Sequence, residues 1–205
     1  MLVDSYIKKA ISSFNTISEE RKNTLLKISH FVEAKLKTTG KAELIYICTH
    51  NSRRSHFGQI WGQTAASYYK IKNVLTYSGG TEATAFNPNA IAAVQRAGFR
   101  VRKEHENEAK NPHYLVTYSV EDADIVCFSK TYDDASNPQK EFCAVMTCTE
   151  ADGNCPFIAG AELRVSCPYD DPKAFDGTDF QDAKYDERCL QIATETLWTF
   201  SQVRI

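Results

Sequence analysis

Two residue types that handle anions stand close together in Cys48-Thr49-His50-Asn51-Ser52-Arg53-Arg54-Ser55. Cysteine attacks as the thiolate, and neighbouring positive charge or a helix N-terminus favours that form. An arginine guanidinium grips two oxygens of a tetrahedral anion through its planar fork. Backbone N–H groups converging at a helix start supply further donors. Cys-x5-Arg-Ser in such a setting therefore suits nucleophilic attack on a bound oxyanion. Six more cysteines occur, at 127, 143, 148, 155, 167 and 189. The total is odd and the chain is larger than a usual disulfide scaffold, which points to catalytic, redox or metal-binding thiols in a reducing compartment.

The flanking elements fit. Leu44 to Ile47 is a continuous apolar run, as in a strand buried on both faces. Phe57, Ile60, Trp61, Ala65 and Tyr68 recur with a helical period. The anion-binding string would thus lie between a strand end and a helix start. Further on, Val74–Tyr77 predicts a second parallel strand, Ser78 to Ala83 a flexible turn, and Asn87-Pro88 a helix start closed by Gly98. Alternating strands and helices predict a parallel α/β sheet.

On these residues the chain resembles the superfamily of low-molecular-weight protein tyrosine phosphatases and thioredoxin-coupled arsenate reductases. Cys48-Thr49-x-Asn51-Ser52-x-Arg54-Ser55 is similar to their phosphate-binding loop. Pro168-Tyr169-Asp170-Asp171-Pro172 resembles their acid loop, with Asp171 as general acid and Asp170 as its alternate. Cys148-x6-Cys155-Pro156 resembles the redox loop of the reductases. The resemblance covers residues 42 to 203, with 100 to 141 poorly matched. It implies a parallel four-stranded or slightly larger sheet with helices on both faces, plus an N-terminal helical extension and an inserted strand or hairpin.

The resemblance further implies a reaction. Cys48 attacks arsenate held by Arg54 and the loop amides, Asp171 gives a proton, and Cys148 and Cys155 carry the disulfide to a thioredoxin-like reductant. The alternative is phosphate-monoester hydrolysis through a phosphocysteine, which uses Cys48, Arg54 and Asp171 alone. A non-catalytic oxyanion-binding or redox-sensing module is a third reading. Ser55 is expected to bond the Cys48 sulfur, and Asn51 to hold the loop. Thr49, His50, Ser52 and Arg53 complete the anion-binding set. His50 replaces a usual glycine and faces either the anion or solvent. Arg53 either raises the positive potential near the site or is a solvated side chain, and His56 is expected on a helix surface. Gln59 stands where reductases often carry a potassium-binding Glu, so no potassium, other metal or cofactor is expected. Cys167, near the acid loop, is a candidate for a second redox role. Tyr132 and Tyr169 either wall a phosphotyrosine slot or belong to the core.

Residues 1–40 read as an extension of two helices, with Thr16-x-x-Glu19 as a capping box, and 41–205 as the catalytic domain. The arm packs on the core or joins two copies into a homodimer. Residues 103–112 read as loop, 113–119, 124–129 and 142–147 as strands, and 181–203 as the last helix. The 205 residues carry a formal charge of −2, which gives no general attraction to nucleic acid. The N-terminus lacks the apolar core of a signal peptide, and no run approaches membrane-spanning length. A cytoplasmic location is expected.

Overall fold

The computed structural model describes residues 1–105, 110–154 and 157–205. Helices α1 (Asp4–Ser12) and α2 (Glu19–Thr38) precede strand β1 (Ala42–Cys48), helix α3 (Arg54–Tyr68), strand β2 (Val74–Gly80) and helix α4 (Pro88–Arg96). Three short strands follow: β3 (Arg100–Lys103), β4 (Tyr114–Thr117) and β5 (Ile125–Cys127). Then come β6 (Phe142–Met146), α5 (Thr149–Asn154), β7 (Ala161–Ser166) and α6 (Gln181–Ser201).

The main sheet is parallel, in the order β2-β1-β6-β7. Strand β1 is central, and its alternate residues serve opposite faces. Leu44 and Tyr46 enter the large core, while Ile45 and Ile47 enter a smaller one with Met146 and Ala151. Helix α3, joining β1 to β2, lies on the large-core face. Cβ atoms built on Gly58 and Gly62 would come within 2.3 and 2.9 Å of the Tyr46 side chain, so the glycines let α3 sit close on β1. Helix α5, joining β6 to β7, puts Ala151 into the smaller core. The two crossovers depart in opposite directions from the β1–β6 pair. Crevices at the C-terminal ends of such a pair are where open α/β sheets bind ligands.

Strands β3, β4 and β5 form a separate antiparallel sheet, so the expected inserted strand or hairpin is a three-stranded unit. Two glutamines of α3 occupy the facing strand edges. Gln63 donates to the Val74 carbonyl and accepts from the Thr76 N–H, and Gln59 donates to the Val126 carbonyl.

The N-terminal arm joins the large core through Val3, Ile7, Leu25 and Val32. Tyr6 stacks on the buried Trp61 of α3 at 5.2 Å. Ser18 caps α2 by accepting from the Arg21 N–H, correcting the Thr16 capping box. Other local readings change too. Ser78 to Gly80, expected as a turn, continues strand β2, while β3 and α5 carry no clear strand or helix pattern in the sequence.

Candidate active site

Cys48 ends β1 at the switch between β1 and β6. Its Sγ lies 3.1 Å from the Ser55 Oγ, in the first turn of α3. Asn51 holds the turn between them. It adopts a left-handed backbone (φ 44°), which asparagine tolerates better than most residues. Its Nδ2 donates to Ser55 Oγ at 2.8 Å and its Oδ1 accepts from the Lys130 N–H at 2.9 Å. The loop's positive φ thus falls on Asn51 and not on His50.

The loop's carbonyls point outward into bonds. The Cys48 oxygen accepts from Thr81 N–H, Thr49 from Glu82 N–H, and Ser52 from Asn87 N–H. The His50 oxygen accepts from the hydroxyls of Ser129 and Thr84. Among the described residues, the N–H groups of 49 to 53 bond no acceptor. A loop with these four carbonyls bonded outward and its N–H groups uncommitted can cradle an anion. Gly80 lies against its outer wall. A Cβ there would come within 2.6 Å of the Thr49 oxygen and 2.7 Å of the Asn51 nitrogen.

Arg54, the first residue of α3, is buried. Its two Nη atoms donate to the Tyr169 carbonyl (2.9 Å) and to Asp171 Oδ2 (2.7 Å). Its Nε is buried with no hydrogen-bond partner among the described residues. A buried orphan donor costs about 1–3 kcal/mol, a penalty an anion's oxygen would relieve. Asp171 is partly exposed and receives the Lys173 N–H. Asp170 points to solvent and pairs with Arg188, so Asp171 is the acid-loop carboxylate beside the arginine.

Arg53 is buried, not solvated: its Nε donates to the Tyr185 hydroxyl at 2.8 Å, and Tyr185 donates to Asp176. His56 is likewise fully buried, stacked on Phe86 at 4.1 Å, with Ser78 Oγ near its Nδ1. Burial, aided by the Lys130 charge, pushes its pKa down to about 3. Ser52 donates to the Ala85 carbonyl. His50 is half exposed, 3.9 Å from Glu82.

Cys148 lies just past the end of β6, fully buried, in the same small core as Cys48. Its Sγ is 3.5 Å from the Thr49 hydroxyl and accepts the Ala151 N–H at the start of α5. Cys155 and Pro156 lie outside the described residues. The other cysteines sit in the large core. Burial pushes the thiols of Cys167 and Cys189 up to about 11 and that of Cys127 to about 12. Cys167 therefore faces away from the small core that Cys48 and Cys148 share. Tyr169 is core, its hydroxyl bonded to Glu195.

Several residues that hold the site have no motif. Arg21 of α2 pairs with Glu195 of α6 (2.8 Å), donates to the Pro168 carbonyl and lies 4.7 Å over the Tyr169 ring. Ser129 and Lys130 reach the loop from the insertion.

No family model matches the chain. It is 27% identical over 142 residues to arsenate reductase 2 of Staphylococcus epidermidis, covering 69% of this chain and 86% of that protein. To an arsenate reductase of Bacillus cereus it is 28% identical over 141 residues, covering 69% and 84%. Among solved structures, a low-molecular-weight phosphotyrosine phosphatase of Vibrio cholerae matches with TM-score 0.49 and 14% identity, over 77% of this chain and 93% of that one. The curated relatives, together with the Cys48-to-Ser55 loop, support the resemblance of this chain to the superfamily of low-molecular-weight protein tyrosine phosphatases and arsenate reductases.

Proposed function

We propose that the protein is an enzyme that reduces arsenate to arsenite through Cys48. The supporting observation is the pairing of an anion cradle with a second thiol at the same crevice: Cys148 Sγ is 3.5 Å from the hydroxyl of Thr49, the residue after Cys48. Arsenate is held by the loop amides and Arg54 Nε. The Cys48 thiolate attacks arsenic, forming an S–As bond, and an oxygen leaves as water with the proton from Asp171. Cys148 then attacks the Cys48 sulfur. The new S–S bond leaves the S–As electron pair on arsenic, which departs as arsenite. Cys155 attacks Cys148, freeing Cys48, and a thioredoxin-like dithiol reduces the Cys148–Cys155 disulfide.

Phosphate-monoester hydrolysis is the second reading. One observation favours it. Cys148 is fully buried at the start of α5, which Asp152 ties to Ser166, so the relay needs that helix to open, whereas hydrolysis needs no such motion. Thiolate attack would give a phosphocysteine, with Asp171 protonating the leaving alcohol.

The test is arsenate turnover with a thioredoxin system beside aryl-phosphate hydrolysis, on wild type, Cys148→Ser and Cys155→Ser. Reduction predicts that either serine variant stops multiple-turnover arsenate reduction and keeps aryl-phosphate hydrolysis within about threefold. Brisk phosphotyrosine hydrolysis with no arsenate reduction by wild type would reverse the order of the two readings.

A further inference from the structure

A second cavity, of about 460 Å³, opens between α3, the edge of β2 and β5, on the insertion side of the molecule. Its mouth carries Leu75 and Val126, two of the larger apolar side chains left exposed, at 41% and 42%. Its size is ordinary for a small-molecule site. Most polar groups along it are already committed. Gln59 and Gln63 bond the two strand edges, Asp124 receives the Thr117 hydroxyl and pairs with Arg102, and Ser136 donates to Asp134.

Lys130 is different. It lines the cavity, is only 4% exposed, and rests its ammonium 4.2 Å from the centre of the Phe128 ring. Among the described residues no hydrogen bond or ion pair reaches its Nζ. Burial lowers its pKa, with Cys127 and Asp134 pulling the other way. A buried ammonium with no hydrogen-bonded counterion gains from a ligand anion, which would add to the pull of Asp134. There is one such charge, and the carboxylates of Asp124 and Asp134 lie nearby, so a singly charged anion fits better than a phosphate dianion. The faces of the Phe128 ring are taken by the Lys130 ammonium and by the stacked His113 ring, so it is the apolar Leu75–Val126 mouth that calls for a compact hydrocarbon body.

We propose that this cavity binds a small aromatic monocarboxylate, its carboxylate on Lys130 and its ring in the Leu75–Val126 mouth. The site is separate from the Cys48 loop, but its anchor is not remote. The Lys130 N–H holds Asn51, and the Lys130 carbonyl accepts from Gly80 N–H.

Calorimetric titration of the full-length protein with benzoate and 2-naphthoate, beside benzamide and 2-naphthamide, tests this. Excess inorganic phosphate keeps the acids from scoring at the Cys48 loop. The acids should bind about tenfold tighter than the amides, the gain expected of a hydrogen bond to a charged group. Lys130→Met should erase that preference, and Val126→Trp, at the exposed mouth, should weaken acids and amides alike. Equal binding of acids and amides, no binding of either, or an acid preference that survives in Lys130→Met would overturn the proposal.

Discussion

A neutral imidazole sits beneath the anion loop. His56 is packed against Phe86 with Lys130 near, and its pKa is lowered to about 3 by burial first and by that lysine second. The unfolded chain binds a proton there below about pH 6.5 and the folded chain does not. Stability contributed by this group is therefore complete above that pH and falls as the solution is acidified towards 3. Between pH 7.5 and 5.5, wild type should lose about 1.4 kcal/mol more than His56→Gln, read from urea unfolding at both values. An equal loss in the two proteins would mean that His56 is solvated or charged in the fold. At this scale the residues gathered around the loop were legible, because Cys48, Asn51, Arg54 and Ser55 stand at fixed spacing on one stretch of chain. Their neighbours were not. Arg53 and His56 look like surface residues in the sequence, since nothing local reveals that Tyr185, 132 positions away, accepts from one and that Phe86 covers the other.

Glycines mark where elements touch. At Gly80, the last residue of β2, the atoms in the way of a side chain are backbone atoms of Thr49, Asn51 and Glu82, which cannot swing aside. Gly80→Ala should therefore displace the cradle and weaken phosphate binding at least about tenfold. Gly153→Ala, on α5 with open space around it, should leave phosphate binding unchanged. Phosphate titration of both variants decides, and an intact phosphate site in Gly80→Ala would show the loop to be more pliant than its bonds suggest. The same glycines explain what was readable in the elements. Gly58 and Gly62 gave away a close helix–strand contact because they interrupt a strong helical pattern. Ser78-Gly79-Gly80 read as a turn because glycine disfavours strands, yet here β2 continues so that the Tyr132 backbone and the anion loop can lie against it. Strand β3 was missed because it is short and largely exposed, whereas β7 alternates apolar and polar residues from Ala161 to Ser166 and went unread.

Across the whole molecule, the helical arm is wired to the acid loop. Arg21 joins Glu195, the Pro168 carbonyl and the Tyr169 ring, and the Tyr169 carbonyl in turn receives Arg54. Arg21→Met strands a buried carboxylate, and such a broken pair costs about 3–5 kcal/mol. Adding Glu195→Gln removes that charge and should recover most of the loss in urea unfolding. If the double variant is no more stable than the single one, the arginine acts by packing alone. The parallel sheet was within reach of the sequence, whose strongest apolar runs are its central strands β1 and β6. How 1–40 and 100–141 attach was not, because long-range ion pairs and carbonyl contacts leave no periodicity. Among the described residues no helix is long and apolar enough to cross a membrane. The clasp between Asn51 and residue 130 has a practical corollary for anyone trimming this catalyst. Paring away the 100–141 excursion to reach a leaner protein would cut the tether that keeps Asn51 in its left-handed pose. The nucleophile would survive in the sequence of such a miniature while its seat came undone.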